Sequence, residues 1–351
     1  MSLTMPLLDA DLLNLLQTQI PLVPRPFAAM AEQLGATEAE VLARVRQLRA
    51  PAPPARPIIR QISAIFDSGA LGYRTALVAA KIPDDRLDAA AAIINQHAGV
   101  SHNYRRNHAF NLWYTLAVPP HSTLGLEKTL DILHRQSGSL STRMLPTLRL
   151  FKIGVKFDLS SEGDVTARNT ATGIREKPVA AELTEQERAM IRVLQQDLPL
   201  VEEPFAAWAA QAGFSVETLL ARAQEFLDRK LMRRFSAVLK HREAGISANA
   251  MGVWEVPPEK QESFGTVAAS FSAVSHCYLR STWPDWPYSI FTMVHAPTRE
   301  QCETVLAAIS KETGITRYGS LYSSTEYKKV RVKYFTPDID EWEARNGTQI
   351  S

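Results

Sequence analysis

Cysteine is nearly missing from this chain. Only Cys277 and Cys302 occur in 351 residues, without metal-ligand spacing, which excludes a disulfide framework and a cysteine-built metal centre. Long hydrophobic runs are missing too. None approaches the roughly 18 apolar residues of a membrane-spanning helix. The first residues lack a basic stretch and carry acid early, which argues against a secretory leader and for a cytoplasmic protein. Charge of one sign is also lacking: 39 Lys and Arg against 37 Asp and Glu leave +2, so net charge calls for neither nucleic acid nor a membrane surface. What remains, 45% apolar and 22% charged residues, is ordinary for globular domains, and the length suggests about two or three of them.

What is present is a repeat. Val100-Ser101-His102-Asn103-Tyr104-Arg105-Arg106 reappears as Val274-Ser275-His276-Cys277-Tyr278-Leu279-Arg280. Around it, Pro26-Phe27-Ala28-Ala29 matches Pro204-Phe205-Ala206-Ala207, Ser63-Ala64 matches Ser236-Ala237, and Pro119 matches Pro297. The offset stays near half the chain and drifts by a few residues, as loop insertions produce. The chain is therefore a tandem repeat, and residues 160–181, polar and without periodicity, read as the linker.

Each copy opens with three short helical segments. Pro26 and Pro204 start the second, Gly35 and Gly213 turn the chain, and Thr37-Glu38-Ala39-Glu40 begins the third like a capping box, as Thr184 to Glu187 begins the first of copy two. That order suggests a winged helix-turn-helix, with residues 57–66 as the wing. Strands and helices then alternate. Residues 73–82, the His-Tyr-Arg segment, 110–118 and 147–157 read as strands in copy one, with 251–256, the second motif, 288–295 and 323–335 in copy two. The order βαββαβ is ferredoxin-like and leaves one sheet face open for a ligand or partner. The fold class is thus α+β: helix-turn-helix at 6–66, ferredoxin-like domain at 67–159, then the same pair at 182–240 and 241–336.

This architecture resembles the Lrp/AsnC regulators and would imply DNA binding. The third helices, however, begin with Glu38 and Glu40 in copy one and Glu217 in copy two. Acid there repels phosphate, which makes DNA an unfavoured partner.

The repeated strand carries the chemistry. Side chains alternate along a strand, so His102, Tyr104 and Arg106 share one face, as do His276, Tyr278 and Arg280. If the first strand continues, His108 joins them. Imidazole can ligate iron or move a proton, tyrosine can donate a proton, and arginine grips carboxylates. The closing strands add Arg149 and Lys152, and Lys328, Lys329 and Arg331, while Arg105 stands beside the stripe. Together they suit a polycarboxylate with a central metal, and aromatics such as Trp113 suit a flat macrocycle. Residue by residue, an ordinary solvated strand accounts for the cations equally well, and ordinary core and loop packing accounts for the aromatics better.

The runs Arg60 to Asp67, Val100 to His108 and Phe110 to Trp113 resemble one subunit type of siroheme decarboxylase. Val274 to Tyr278, Trp283-Pro284-Asp285-Trp286-Pro287-Tyr288 and Glu326 to Lys329 resemble its paired type. The chain is similar to a fusion of the D-type and L-type proteins of heme d1 biosynthesis. The resemblance implies removal of carbon dioxide from the C12 and C18 acetates of siroheme, with no cofactor beyond the substrate's own iron. It implies siroheme, and further homologous subunits, as partners. For such a reaction one histidine of the stripe, His102 or His108 first, is expected to be an axial ligand of that iron and another to supply the proton. His276 is the equivalent in copy two, with Tyr104 and Tyr278 beside them, while the cations hold the carboxylates that remain. A non-catalytic tetrapyrrole carrier is the remaining alternative. Whether the halves pair within one chain or across a homodimer is open at this level.

Overall fold

The computed structural model describes residues 7–53, 56–153, 165–168, 178–239 and 248–347. The first half runs α1 (Leu7–Thr18), α2 (Pro26–Leu34), α3 (Glu38–Arg49), β1 (Ile59–Phe66), β2 (Arg74–Lys81), α4 (Leu87–Asn95), β3 (Val100–Arg106), β4 (Leu112–Val118), α5 (Gly125–Ser137), β5 (Ser141–Leu145) and β6 (Thr147–Ile153). The second runs α6 (Glu185–Leu194), α7 (Phe205–Ala212), α8 (Val216–Asp228), β7 (Met232–Leu239), β8 (Ala248–Trp254), α9 (Gln261–Ser270), β9 (Val274–Arg280), β10 (Ile290–Ala296), α10 (Arg299–Thr313), β11 (Tyr318–Leu321) and β12 (Ser323–Lys329). A last helix, α11 (Asp338–Asn346), follows. Among the described residues no helix is long and apolar enough to cross a membrane.

The chain divides into two compact units that cut across the repeat. One gathers residues 1–73, 179–243 and 333–336; the other holds 74–178, 244–332 and 337–351.

In the first unit the expected caps form. Thr37 accepts the Glu40 amide at 3.3 Å while Glu40 takes the Thr37 amide at 2.8 Å, and Thr184 with Glu187 repeats the exchange. Each box satisfies two donors left over at a helix start, an effect of about 1 kcal/mol. Gly35 and Gly213, at φ 62° and 79°, close α2 and α7 in the left-handed conformation. The wing is different from expectation. β1 pairs with β7, antiparallel, from Ile59 opposite Leu239 to Phe66 opposite Met232. Each copy supplies one strand here, and its backbone groups find partners in its counterpart. The arginines of α3 are engaged inside the unit: Arg44 with Asp9, Arg49 with Asp197, and Arg46 with the Leu200 carbonyl.

The second unit holds two five-stranded sheets, ordered β12-β3-β4-β2-β5 and β11-β8-β10-β9-β6. Without the outer strands next to β3 and β9, each is the antiparallel ferredoxin-like sheet. The expected closing strands are corrected here. β6 leaves its own half to pair with β9, and β12 leaves its half to pair with β3. The fourth strands of the two halves are β5 and β11, five and four residues long, too short to show an alternating pattern. Pro146 separates β5 from β6 and permits the crossing. Residues 154–157 of the expected strand, and most of 160–181, lie outside the described residues.

Each sheet packs its helices on one face, around Leu112, Tyr114 and Leu116 in one half and Cys277, Ile290 and Val294 in the other. The face expected to be open is closed at its centre. Ala79, Phe110, Trp113 and Leu145 meet Met251, Val253, Trp286, Phe291 and Leu321 there. The two halves therefore pair within one chain, by exchanged strands and a shared core.

The sequence reading ended before α11. Trp342 joins the core of the first half, its ring 4.5 Å from that of His97. Buried Glu343 accepts the Thr123 amide at 2.9 Å and hydroxyl at 2.8 Å, and the Ser122 hydroxyl as well, so it caps the entry to α5 from a distant part of the chain.

Candidate functional site

The stripe forms twice. The His102 and Tyr104 rings lie 6.1 Å apart and Arg106 Cζ is 5.8 Å from the Tyr104 ring centre. His276 and Tyr278 are stacked at 5.9 Å, with Arg280 Cζ at 4.7 Å from the tyrosine. Both strands carry a bulge just before the histidine, where register slips between Val100 and Asn103 and between Val274 and His276. A bulge re-aims side chains, and here it turns a serine toward the histidine that follows it. Ser101 Oγ is 3.0 Å from His102 Nδ1, and Ser275 Oγ is 2.7 Å from His276 Nδ1. These serines are functional candidates that the sequence reading passed over, although both copies display them inside the repeated motif.

Arg106 donates to the Leu321 carbonyl at 3.1 Å, and Arg280 donates to the Leu145 carbonyl at 2.6 Å. Both bonds fall where a fourth strand hands over to the exchanged one, so each arginine ties the crossing to the stripe. Burial pulls both guanidinium groups down to about 10, against the influence of the neighbouring tyrosine. The Nε of each lacks a partner among the described residues.

His108 is off the stripe, because the strand does not continue. β3 ends at Arg106, and the His108 amide turns back onto the Arg106 carbonyl at 3.0 Å. Its Nδ1 accepts the Phe110 amide at 3.0 Å, and its ring meets Trp286 edge-on at 5.2 Å. Burial lowers its pKa. The Trp283–Pro287 loop of the second half is thereby brought against the first half, and a bidentate Arg143–Asp285 pair, both contacts 2.8 Å, holds it. Beside His108 opens a cleft of about 680 Å³, lined among others by Lys81, Asp84, Arg105, Arg106 and Asn107. That volume falls in the range of small-molecule sites.

The remaining predicted residues separate. Lys329 stands opposite His102 in the β12–β3 register and is 3.7 Å from Glu326, itself opposite Tyr104. Arg105 is in the cleft, 3.8 Å from Asp84. Arg331 follows the end of β12, half-buried. Arg149, Lys152 and Lys328 do not join the stripe. Arg149 pairs with Glu262 on α9 at 2.6 Å, Lys152 donates to the Phe271 carbonyl at 2.7 Å, and Lys328 to the Asn95 carbonyl at 2.7 Å. Lys152 and Lys328 thus cap the last carbonyls of α9 and α4, on the helix side of the sheets. Trp113 is 1% exposed between the sheets, its Nε1 bonded to the Phe110 carbonyl at 2.7 Å. On β12 alternation explains the separation, because Lys328 and Lys329 face opposite ways. On β6 the register shift between Leu150 and Lys152 leaves Arg149 and Lys152 both against α9.

The second stripe is set among apolar neighbours: Leu150 and Ile153 on β6, and Phe291 and Met293 on β10. Burial, then Arg280 and Lys152, pulls His276 down to about 4, so it is neutral at physiological pH and able to offer a lone pair.

Models of known families match this chain twice each. An AsnC-like ligand binding domain matches residues 70–152 and 243–328, and a siroheme decarboxylase NirDL-like HTH domain matches 9–51 and 187–233. A siroheme decarboxylase from Hydrogenobacter thermophilus is 39% identical over 331 residues, covering 94% of this chain and 96% of that protein. The siroheme decarboxylase NirDL subunit of Paracoccus denitrificans is 33% identical over 306 residues, covering 87% and 90%. This chain belongs to the siroheme decarboxylase family. The crystal structure of the siroheme decarboxylase NirDL in co-complex with an iron-uroporphyrin III analogue aligns at TM-score 0.77 and 33% identity, over 98% of this chain and 100% of that one. The helix-turn-helix units of this family member are accordingly those of its decarboxylase relatives, in keeping with the internal engagement of Arg44, Arg46 and Arg49.

Buried His97 makes this protein sensitive to acid. His97 is fully buried, its Nδ1 accepts the Gly99 amide at 3.0 Å, and desolvation pulls its pKa to about 4, opposed by Glu343 and aided by Lys328. The unfolded chain takes up protons near the ordinary 6.5, so it binds more of them than the native state between pH 6.5 and 4. Stability is therefore intact above that window and is lost as pH falls through it, by about 3 kcal/mol for His97. Urea titrations across the window check this. His97→Gln is expected to flatten the pH dependence; an equally steep profile in that variant would assign the acid sensitivity elsewhere.

Proposed function

We propose that this chain is a carboxy-lyase acting on siroheme, removing the carboxyl groups of the C12 and C18 acetates to give 12,18-didecarboxysiroheme. The observation that carries the proposal is the doubled Ser-His-Tyr-Arg stripe, polar and titratable on a sheet face, in a chain of the siroheme decarboxylase family. For each acetate the bond to the carboxylate carbon breaks and carbon dioxide leaves. The electron pair passes into the conjugated ring, and a proton then converts the remaining carbon to a methyl group. His102, His108 and His276, with Tyr104 and Tyr278, are the groups available to ligate the substrate's iron or deliver that proton. Arg105, Arg106, Arg280, Lys329 and Arg331 are the cations for the carboxylates that stay. The iron belongs to the substrate, so no resident cofactor takes part.

Anaerobic incubation of the purified chain with siroheme, followed by mass spectrometry, tests this. Loss of two carbon dioxide units is expected. Tight binding with a shifted Soret band and no mass change would make the chain a carrier instead. Product formed only after adding a homologous chain would show that a further subunit is required.

A further inference from the structure

The two stripes differ in one position that governs the proton on each histidine. Thr115 on β4 and Met293 on β10 occupy equivalent places, each beside the bulged serine. Granting the site proposed above, we propose that they hold the two histidines in opposite tautomers, with His102 presenting an Nε2–H and His276 presenting an Nε2 lone pair. Ser101, Ser275 and Thr115 are then positioning residues, and one half supplies a proton donor while the other supplies a base or ligand.

The proton count runs in opposite directions. In the second half, Ser275 Oγ lies 3.3 Å from the Met293 carbonyl and 2.7 Å from His276 Nδ1. A carbonyl only accepts. The serine's one proton goes to it, and the second bond then requires Nδ1 to be the donor. His276 is left with its lone pair on Nε2. Metal-ligating histidines are commonly fixed in this way by the hydrogen bond from their other nitrogen.

In the first half the carbonyl's role passes to a hydroxyl. Thr115 Oγ1 accepts the His102 amide at 3.1 Å and lies 2.7 Å from Ser101 Oγ. Among the described residues its own proton has no other acceptor, so Thr115 donates to Ser101. Ser101 in turn donates to His102 Nδ1 at 3.0 Å, and the ring proton is placed on Nε2. Reversing the chain would leave the threonine proton unmatched, at a cost comparable to a lost hydrogen bond.

Full-length protein labelled with 15N in its histidine rings, without siroheme and at about pH 8, where an ordinary histidine is neutral, reads the tautomers directly. Two-bond proton–nitrogen spectra separate protonated from unprotonated ring nitrogens, and H102Q and H276Q assign the signals. A protonated Nε2 in His102 and a protonated Nδ1 in His276 are expected. T115V leaves Ser101 with His102 Nδ1 as its remaining partner and free to donate or accept, so His102 should become a mixture of both tautomers. T115S, which keeps the hydroxyl, should hold the single Nε2–H pattern. The same tautomer in both histidines, or a His102 pattern indifferent to T115V, would overturn the proposal. Because no siroheme is present, this outcome is separate from the decarboxylase proposal. In turnover, T115V should lower kcat about tenfold at unchanged KM, the usual scale for a group orienting another, and T115S should recover it.

Discussion

Turnover of siroheme by the His102→Ala variant is expected to fall by about 10²–10⁴-fold, the range for losing a general acid or base. His102 is exposed enough to be reached, yet its Nδ1 is held by buried Ser101, so its ring is both accessible and oriented. His276→Ala should cost as much, and should also perturb the Soret band, because a neutral imidazole with a free lone pair is the better partner for iron. His108→Ala is the informative third variant. His108 is against Trp286, outside the stripe, so its loss reports whether the cleft beside Arg105 belongs to the reaction. Single-turnover rates measured anaerobically for the three variants decide between the halves. Full activity in the His102 and His108 variants, with an inactive His276 variant, would place the chemistry in the second half alone.

Gly99→Ala is expected to destabilise the protein by about 2–3 kcal/mol or more, the scale of overpacking in a close-packed interior. A methyl group there would run into the backbone oxygen of Ala117 and come within 2.9 Å of His97 Cε1. The neighbour is backbone, bonded across the strands by the Ala117 amide to the Gly99 carbonyl at 3.0 Å, so it has little room to yield. Relief requires β3 to shift at its start, two residues before Ser101. Activity should therefore fall beyond what the lost stability explains. Gly319→Ala is the control, because its methyl group would meet Val253 Cγ2 at an ordinary 3.5 Å. Chemical unfolding of both variants checks the contrast, and equal midpoints would show that the sheet accommodates the added carbon at residue 99.

Much of this molecule is local, and what is local was legible. The capping pairs Thr37–Glu40 and Thr184–Glu187, the turns at Gly35 and Gly213 and the one-sided His-Tyr-Arg stripe depend on residues a few positions apart, where helix and strand geometry dictate the contacts. The repeat itself needs only comparison of the chain with itself. α11 was also within reach. Asp338, Asp340 and Glu341 open it and Arg345 closes it, a charge order that matches the helix dipole.

Exchange of strands was not legible. β6 mixes apolar and charged residues and β12 is almost wholly polar, and nothing in their pattern says which sheet edge accepts them, because any antiparallel edge offers the same backbone groups. From that exchange follow the separation of Arg149, Lys152 and Lys328 from the stripe, the closure of the supposedly open sheet face by Trp113 and Trp286, and the meeting of His108 with the Trp283–Pro287 loop. The end of β3 at Arg106, which takes His108 off the stripe, is another tertiary decision, set by the turn onto its own carbonyl and the packing of Phe110. The sequence by itself determined the number of halves, their elements and the residues that carry chemistry, since those rest on short-range periodicity. Only the tertiary structure decided which residues share a site, because that depends on partner strands more than a hundred residues away.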